Sequence, residues 1–359
     1  MNLKYKNKKI TGILTVLPEN EIKFEDELDN YSFTRSQSMK LKLIMGYNKR
    51  RIVKEGTTIS DLCVFGLEYL FNQSLLDKNE IDAIILVTQS PDYIIPNTSQ
   101  IIHGRLGLRK DVLCDEISQA CSGYPIGLTQ AFMLLEQEEI NKVVVLNADI
   151  FSRKVSKKDR GSRPLTGDAA SITIVENDLP TTIDKIIYGS INTDGKGADA
   201  LIIPAGGFKM PSNEKTAEIK TDDKGNSRAL DHLVMKGDDV FSFVQKEVPI
   251  MIENLLSRAD CSIKTVDYYM FHQPNKFMLK KLADKMGVPY EKMPNNIVEN
   301  FGNANSVSTP TNITYNLGEK LINNSFLICL AGFGAGLSWS SLLLEMGNLN
   351  FCKIIDYNN

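Results

Sequence analysis

Residues 112–148 read VLCDEISQACSGYPIGLTQAFMLLEQEEINKVVVLNA. A short apolar run, Val112–Ile117, is followed by a helical pattern over Ile126–Glu139 and then by the β-branched run Lys142–Ala148. A strand, a helix and a second strand in this order are the repeating unit of an α/β protein with a parallel or mixed sheet. The rhythm extends upstream, where Ser60–Asn72 and Thr98–Leu106 have helical spacing and Ile81–Thr88 (IDAIILVT) reads as a buried strand. It extends downstream to a strand at Ala170–Glu176. After NDLPTT at 177–182 it restarts: strands at Ile183–Thr193 and Val266–Phe271, helices at Asp238–Ala259 and Phe277–Met286, and strands at Ser325–Ala331 and Leu337–Glu345. The order of elements suggests two similar halves, 1–178 and 179–359, although no repeat is visible residue by residue. Pro204–Leu230 is polar and rich in Gly, Lys and Asp, and reads as an exposed excursion. Asn348–Asn359 reads as a peripheral tail.

The whole chain has 359 residues, a formal net charge of −3, 42% apolar and 24% charged residues, which are ordinary values for a globular protein long enough to bury a large core. Near-neutral charge offers no footprint for nucleic acid. The cluster Lys4, Lys6, Lys8 and Lys9 reads as a solvated terminus. No apolar run reaches the ~18 residues of a membrane span, and Ile10–Leu17 is too short and too interrupted for a secretory signal. A cytoplasmic location is therefore expected. The 6 cysteines form no CxxC pair, so neither a disulfide framework nor a zinc site is expected.

Cys121 falls between the end of a strand and the start of a helix, with Pro125 in the first helical turn. A helix N-terminus favours the thiolate, the nucleophilic form of cysteine. Position alone leaves a reactive and a structural reading open. Cys63, Cys114, Cys261 and Cys329 lie inside apolar runs and read as structural, while Cys352 lies in the tail. Of the 3 histidines, His272 in YYMFHQPNKF directly follows an apolar strand, where ligand-facing residues gather in open α/β sheets. His103 sits in a helical stretch, and His232 has no accompanying signal. Asn303 lies in the turn-rich ENFGNANSVSTPTNI, where an amide can be a turn former or a donor to a developing oxyanion. Gly332, Gly334 and Gly336 in AGFGAGLSW read as a hairpin turn. No helix and no Lys-Ser/Thr follow, so this is neither a dinucleotide fingerprint nor a phosphate loop.

Taken together, the cysteine of QACSGY, the histidine and asparagine of HQPN, the asparagine of GNANS and the closing FGAGLSW resemble the 3-oxoacyl-acyl-carrier-protein synthase III family of the thiolase superfamily. His272 follows Cys121 by 151 residues, and Asn303 follows His272 by 31. GYNKRRIVKEG (Gly46–Gly56), DRG (Asp159–Gly161), GDAA (Gly167–Ala170) and MKGDDVF (Met235–Phe241) add to the resemblance, which runs from about Ile10 to Glu345. It implies a thiolase-like α/β fold of two duplicated βαβαβ-type halves in α-β-α-β-α layers, the first carrying the cysteine and the second the histidine and asparagine. It implies two chains per assembly. It further implies Cys121, His272 and Asn303 as catalytic residues and the N–H groups of Cys121 and Ala335 as an oxyanion hole. Asn275, Gly334 and Gly336 are then supporting residues, and Arg160, Gly237 and Ile95 contact substrate. The substrates implied are an acyl-CoA and malonyl-acyl carrier protein, with no metal and no cofactor beyond the CoA thioester consumed as substrate.

The sequence also departs from the family pattern. Lys40 lies near the place of the family's usual tryptophan, which stacks on the CoA adenine with Arg160 matching its partner arginine; LIMGYN replaces the usual TRTGIR, Phe277 replaces a basic residue linked to carrier-protein docking, and Ile95 replaces an aromatic one. A specialised lipid pathway is one expectation from these departures. Acyl transfer to an oxygen or nitrogen acceptor without decarboxylation, and a non-catalytic partner subunit that shapes a chain-length pocket, are the alternatives.

Overall fold

Apolar β-branched stretches become the strands of two sheets, and the helical patterns cover them. The computed structural model describes residues 1–178 and 184–358. One sheet has six strands in the order Phe351–Tyr357, Lys8–Pro18, Asp168–Asn177, Lys142–Ile150, Ala83–Val87 and Leu113–Ile117. The other has five, in the order Asn2–Lys6, Ile186–Thr193, Ser338–Gly347, Ser325–Gly334 and Tyr268–Phe271.

The helices Gly123–Leu134 and Ser308–Asn323 lie between the sheets. Their Tyr124, Leu128, Phe132, Ile313, Leu317 and Leu321 share one core with Val145 of the six-stranded sheet and Leu342 of the five-stranded sheet. A helix with partners on both sides is apolar nearly all round, as GYPIGLTQAFML is. The helices Ile59–Asn72 and Thr98–Leu106 cover the outer face of the first sheet. Gly237–Arg258 and Lys276–Met286 cover that of the second. The layers therefore run α-β-α-β-α, as the resemblance implies.

Both chain ends differ from expectation. Lys4 and Lys6 are exposed, as expected, but Asn2–Lys6 is more than a loose terminus. It is an edge strand antiparallel to Ile186–Thr193, and the Lys8 side chain, 8% exposed, pairs with Glu136 at 3.2 Å. Nor is Asn348–Asn359 a peripheral tail. Phe351–Tyr357 pairs in parallel with Lys8–Pro18 and buries Phe351, Cys352 and Tyr357. The largely apolar stretch 351–357 forms a strand because an otherwise open edge stands beside it to receive its hydrogen bonds. Each terminus thus joins the sheet built mainly from the opposite half. The junction expected at 177–182 lies largely outside the described residues, as does Ile183, the first residue of the strand expected there.

Excursion 204–230 is mostly exposed, as expected. It is nevertheless tied down: Arg228 Nη1 donates to Asp159 Oδ2 at 2.8 Å, and the short strands Lys220–Thr221 and Ser227–Arg228 pair.

Candidate active site

Cys121 sits just before the sandwiched helix Gly123–Leu134 and is 7% exposed. The turn is pinned from the opposite sheet: Ser122 Oγ donates to Ser338 Oγ at 3.0 Å, and Ser340 Oγ donates to the Ser122 carbonyl at 2.8 Å. The glycine-rich end of Ser325–Gly334 presses directly on the cysteine. A Cβ on Gly334 would stand 2.7 Å from Cys121 Cβ and 2.9 Å from Sγ, so no larger residue fits without displacing the thiol. Gly336 follows in the turn to Ser338–Gly347, which is the hairpin expected there.

Burial pushes the Cys121 thiol up to about 12, and the nearby Asp149 carboxyl adds to that push. The backbone amides of Cys121 and Ala335 pull the other way.

His272 follows the strand Tyr268–Phe271 and is 1% exposed. Its Nδ1 lies 2.7 Å from Ser308 Oγ and 3.2 Å from the Asn305 carbonyl. A carbonyl can only accept, so Nδ1 carries the proton and Nε2 keeps its lone pair. Burial pushes this imidazole down to about 3, and the bond to the Asn305 carbonyl opposes the shift. It is neutral at physiological pH.

Asn303 and Asn305 stand in one turn before the helix Ser308–Asn323. Asn303 is fixed by its backbone: its N–H donates to the Leu165 carbonyl at 2.6 Å, and its carbonyl accepts from Gly167 N at 3.0 Å. A Cβ on Gly167 would lie 2.4 Å from the Phe301 carbonyl oxygen, so glycine is needed for the two segments to meet. The Asn303 Oδ1 is buried with no hydrogen-bond partner. The amide that reaches the thiol is that of Asn305, whose Oδ1 lies 4.0 Å from Cys121 Sγ.

The other residues singled out from sequence have partners outside this cluster or are exposed. Asn275 Oδ1 accepts from Met278 N at 2.8 Å and caps the helix Lys276–Met286. Gly237 is exposed at the start of Gly237–Arg258. Ile95 is 83% exposed beside Tyr93 and Ile94. The Arg160 guanidinium lies 3.9 Å from the centre of the Phe33 ring and donates to Ser32 Oγ and to the Lys224 carbonyl. Arg160 therefore does have an aromatic neighbour. Phe33, seven positions ahead of Lys40, supplies it, and Lys40 is exposed.

His103 Nε2 lies 2.7 Å from the Arg109 carbonyl, and His232 Nδ1 accepts from Ala229 N at 3.0 Å, so both are locally committed. All 6 cysteines are free. Sequence reasoning missed Asn305, Ser308, Asp149 and Phe33. A second asparagine in GNANS, and a lone acid closing the apolar run KVVVLNADI, were the available signals for two of them.

The chain was compared with known proteins. The 3-oxoacyl-[acyl-carrier-protein] synthase III family model matches residues 116–195, and the model of that family's C-terminal part matches residues 256–346. The beta-ketoacyl-[acyl-carrier-protein] synthase III of Syntrophomonas wolfei is 32% identical, with 84% of this chain and 87% of that one covered. That of Porphyra purpurea is 31% identical over 84% and 88%. The crystal structure of a 3-oxoacyl-(acyl-carrier protein) synthase from Burkholderia xenovorans superposes with a TM-score of 0.90 at 31% identity, covering 99% of both chains. Similarity of this extent, spanning both halves, places the chain in the 3-oxoacyl-[acyl-carrier-protein] synthase III family.

Proposed function

We propose that the chain catalyses a decarboxylative condensation. An acyl group from acyl-CoA is carried on Cys121 and joined to malonyl-acyl carrier protein, giving 3-oxoacyl-acyl carrier protein, CoA and carbon dioxide. The observation that carries this reading is a buried thiol joined through Asn305 to a buried, neutral imidazole, with the Cys121 and Ala335 backbone amides favouring its anion.

In the first half-reaction Cys121 Sγ attacks the thioester carbonyl while His272 Nε2 takes the thiol proton. The Cys121 and Ala335 N–H groups hold the oxyanion, and CoA leaves as its thiolate, which solvent protonates. In the second, loss of carbon dioxide from the malonyl group leaves an enolate. The protonated Nε2 of His272 and the Asn303 amide stabilise its oxygen. The enolate carbon attacks the acyl thioester, the Cys121 thiolate leaves, and His272 returns its proton to the sulfur. One proton is taken up overall, at the departing CoA.

The reading extends to an acyltransferase located in the cytoplasm and acting as a homodimer, with halves 1–178 and 179–359. Tyr93, Ile94 and Ile95 are 62%, 78% and 83% exposed, an apolar tip suited to burial against a second copy. Arg160, Gly237 and Ile95 are assigned to substrate contact, and Asn275, Gly334 and Gly336 to support. No helix among the described residues is long and apolar enough to cross a membrane.

The test has two stages. The protein is incubated with a panel of acyl-CoAs and the Cys121 peptide is weighed, then malonyl-acyl carrier protein is added and released carbon dioxide is counted. Acylation followed by carbon dioxide is the expected result. Acylation without it points to transfer to an oxygen or nitrogen acceptor. That outcome has one feature in its favour: Phe277, in place of the family's basic residue, stacks on Phe241 with ring centres 5.7 Å apart.

A further inference from the structure

One contact at the thiol takes no part in the steps above. Asn305 Oδ1 faces Cys121 Sγ at 4.0 Å, and Asn305 Nδ2 donates to Asp149 Oδ2 at 3.0 Å. Asp149 is fully buried at the end of the strand Lys142–Ile150. Its other oxygen accepts from Gln89 N at 2.8 Å, Ser90 Oγ at 3.0 Å and Thr88 Oγ1 at 3.4 Å. Strand periodicity puts Asn147 and Asp149 on one face, and Asn147 Nδ2 donates to Ser306 Oγ at 3.0 Å. Two adjacent residues of the 305–306 turn are thus seated on one strand.

The backbone of Asn305 is fixed as well. Its φ is +50°, a region asparagine adopts more readily than most residues. Its carbonyl accepts from Ser308 Oγ at 2.8 Å and holds His272 Nδ1. An amide has one donor end and one acceptor end. With Nδ2 committed to Asp149, which offers only acceptors when ionised, Oδ1 is the end left for the sulfur.

We propose that Asn305 holds the Cys121 S–H by accepting it, and that Asp149 is the positioning residue that fixes the polarity of that amide. The proposal rests on Cys121 being the sulfur that is acylated. An acceptor oxygen against the sulfur keeps the resting nucleophile a thiol and disfavours the thiolate, so its proton leaves only when His272 Nε2 takes it. The titratable groups joined to this trio by a contact are Cys121 and His272, with Asp149 itself.

The experiment measures alkylation of the Cys121 peptide by iodoacetamide in the full chain at pH 8.5, where the Asp149 carboxyl is ionised. The proteins are the unchanged protein, Asp149→Asn, and the swap Asp149→Asn with Asn305→Asp. Thermal melting checks that each is folded. In Asp149→Asn the new amide can donate to Asn305 Oδ1, which turns Nδ2 toward the sulfur. Alkylation is then expected ~10-fold faster, the effect of about one pKa unit in thiolate fraction. The swap keeps a hydrogen bond between the two positions but sets a carboxylate against the sulfur, and is expected to alkylate ~10-fold more slowly than the unchanged protein. In an Asn305→Ala background Asp149→Asn is expected to lose its effect; a ~10-fold gain that persists there is the Asp149 charge acting directly and overturns the proposal, as does one rate in all the folded proteins. If the swap does not fold, Asp149→Asn decides alone: an unchanged or lower rate overturns it. Failure of the underlying reading looks different. Cys121 is then alkylated in the unchanged protein but gains no acyl mass from any acyl-CoA.

Discussion

The two sheets are built on one plan. Ala83–Val87, Lys142–Ile150, Asp168–Asn177 and Lys8–Pro18 lie side by side and pair parallel, antiparallel, antiparallel. Tyr268–Phe271, Ser325–Gly334, Ser338–Gly347 and Ile186–Thr193 do the same. In each half a sandwiched helix feeds the second strand of this set: Gly123–Leu134 into Lys142–Ile150, and Ser308–Asn323 into Ser325–Gly334. Cys121 precedes the first helix, and Asn303 and Asn305 precede the second. The residues after the first strand of each set match in place as well. Thr88, Gln89 and Ser90 hold Asp149, whereas His272 is held by Ser308 and the Asn305 carbonyl.

Equivalent backbone ends thus carry different chemistry. One half offers a thiol and a buried carboxyl, and the other offers an imidazole, two amides and the Ala335 N–H. Neither half alone has both a nucleophile and the groups to manage its proton. The site exists because the two sandwiched helices point their N-terminal ends at one place between the sheets.

The largest test of that division removes the nucleophile. Cys121→Ala is expected to cut acyl mass gain by at least ~10³-fold while leaving thermal melting close to unchanged, because a small residue replaces a thiol at a turn. Acylation that persists at the original rate would move the nucleophile out of the first half.

Next in size is Asn303→Ala. It is expected to lower carbon dioxide release by ~10²–10³-fold, the usual loss for one oxyanion donor, while Cys121 acylation falls far less. Equal losses in the two half-reactions would show that the second half does not specialise in the enolate step.

Stability offers a third handle. Burial pushes the Asp149 carboxyl up to about 7, above its ordinary 3.8. The folded state therefore holds that proton more tightly than the unfolded chain, and this contribution to stability declines as pH rises from about 4 to 7 and is flat above. Asp149→Asn removes the titration. Its stability relative to the unchanged protein should therefore rise across that window, by at most ~4 kcal/mol. Denaturant melts at several pH values read this out, and a constant difference would mean that Asp149 titrates normally in the fold.

Gly334→Ala should have the smallest effect. A methyl group against Cys121 Cβ and Sγ is expected to cost ~1–3 kcal/mol of stability and to slow acylation. Unchanged acylation would show that the glycine strand can retreat from the thiol.

Alternation of short β-branched runs with 3.6-period segments was sufficient for the α/β class, because each pattern states which face of an element is to be buried. The flanks of Cys121, His272 and Asn303 were distinctive enough to bring the family into view. The chain ends were misread because an edge strand is fixed by the partner it meets, and Lys8–Pro18, which receives Phe351–Tyr357, is more than three hundred residues away. Phe33 was missed for a similar reason: it reaches Arg160 through space rather than at the sequence register where an aromatic was sought.

What the amino-acid order determined by itself was local: the periodicity of each element, the turn before each helix, and the kinds of side chain available at those turns. Tertiary structure alone decided which amide faces the sulfur. Asn303 and Asn305 are two positions apart and chemically identical, and only the buried Asp149 carboxyl, brought in by a strand of the other half, commits the Asn305 amide and turns its oxygen toward Cys121.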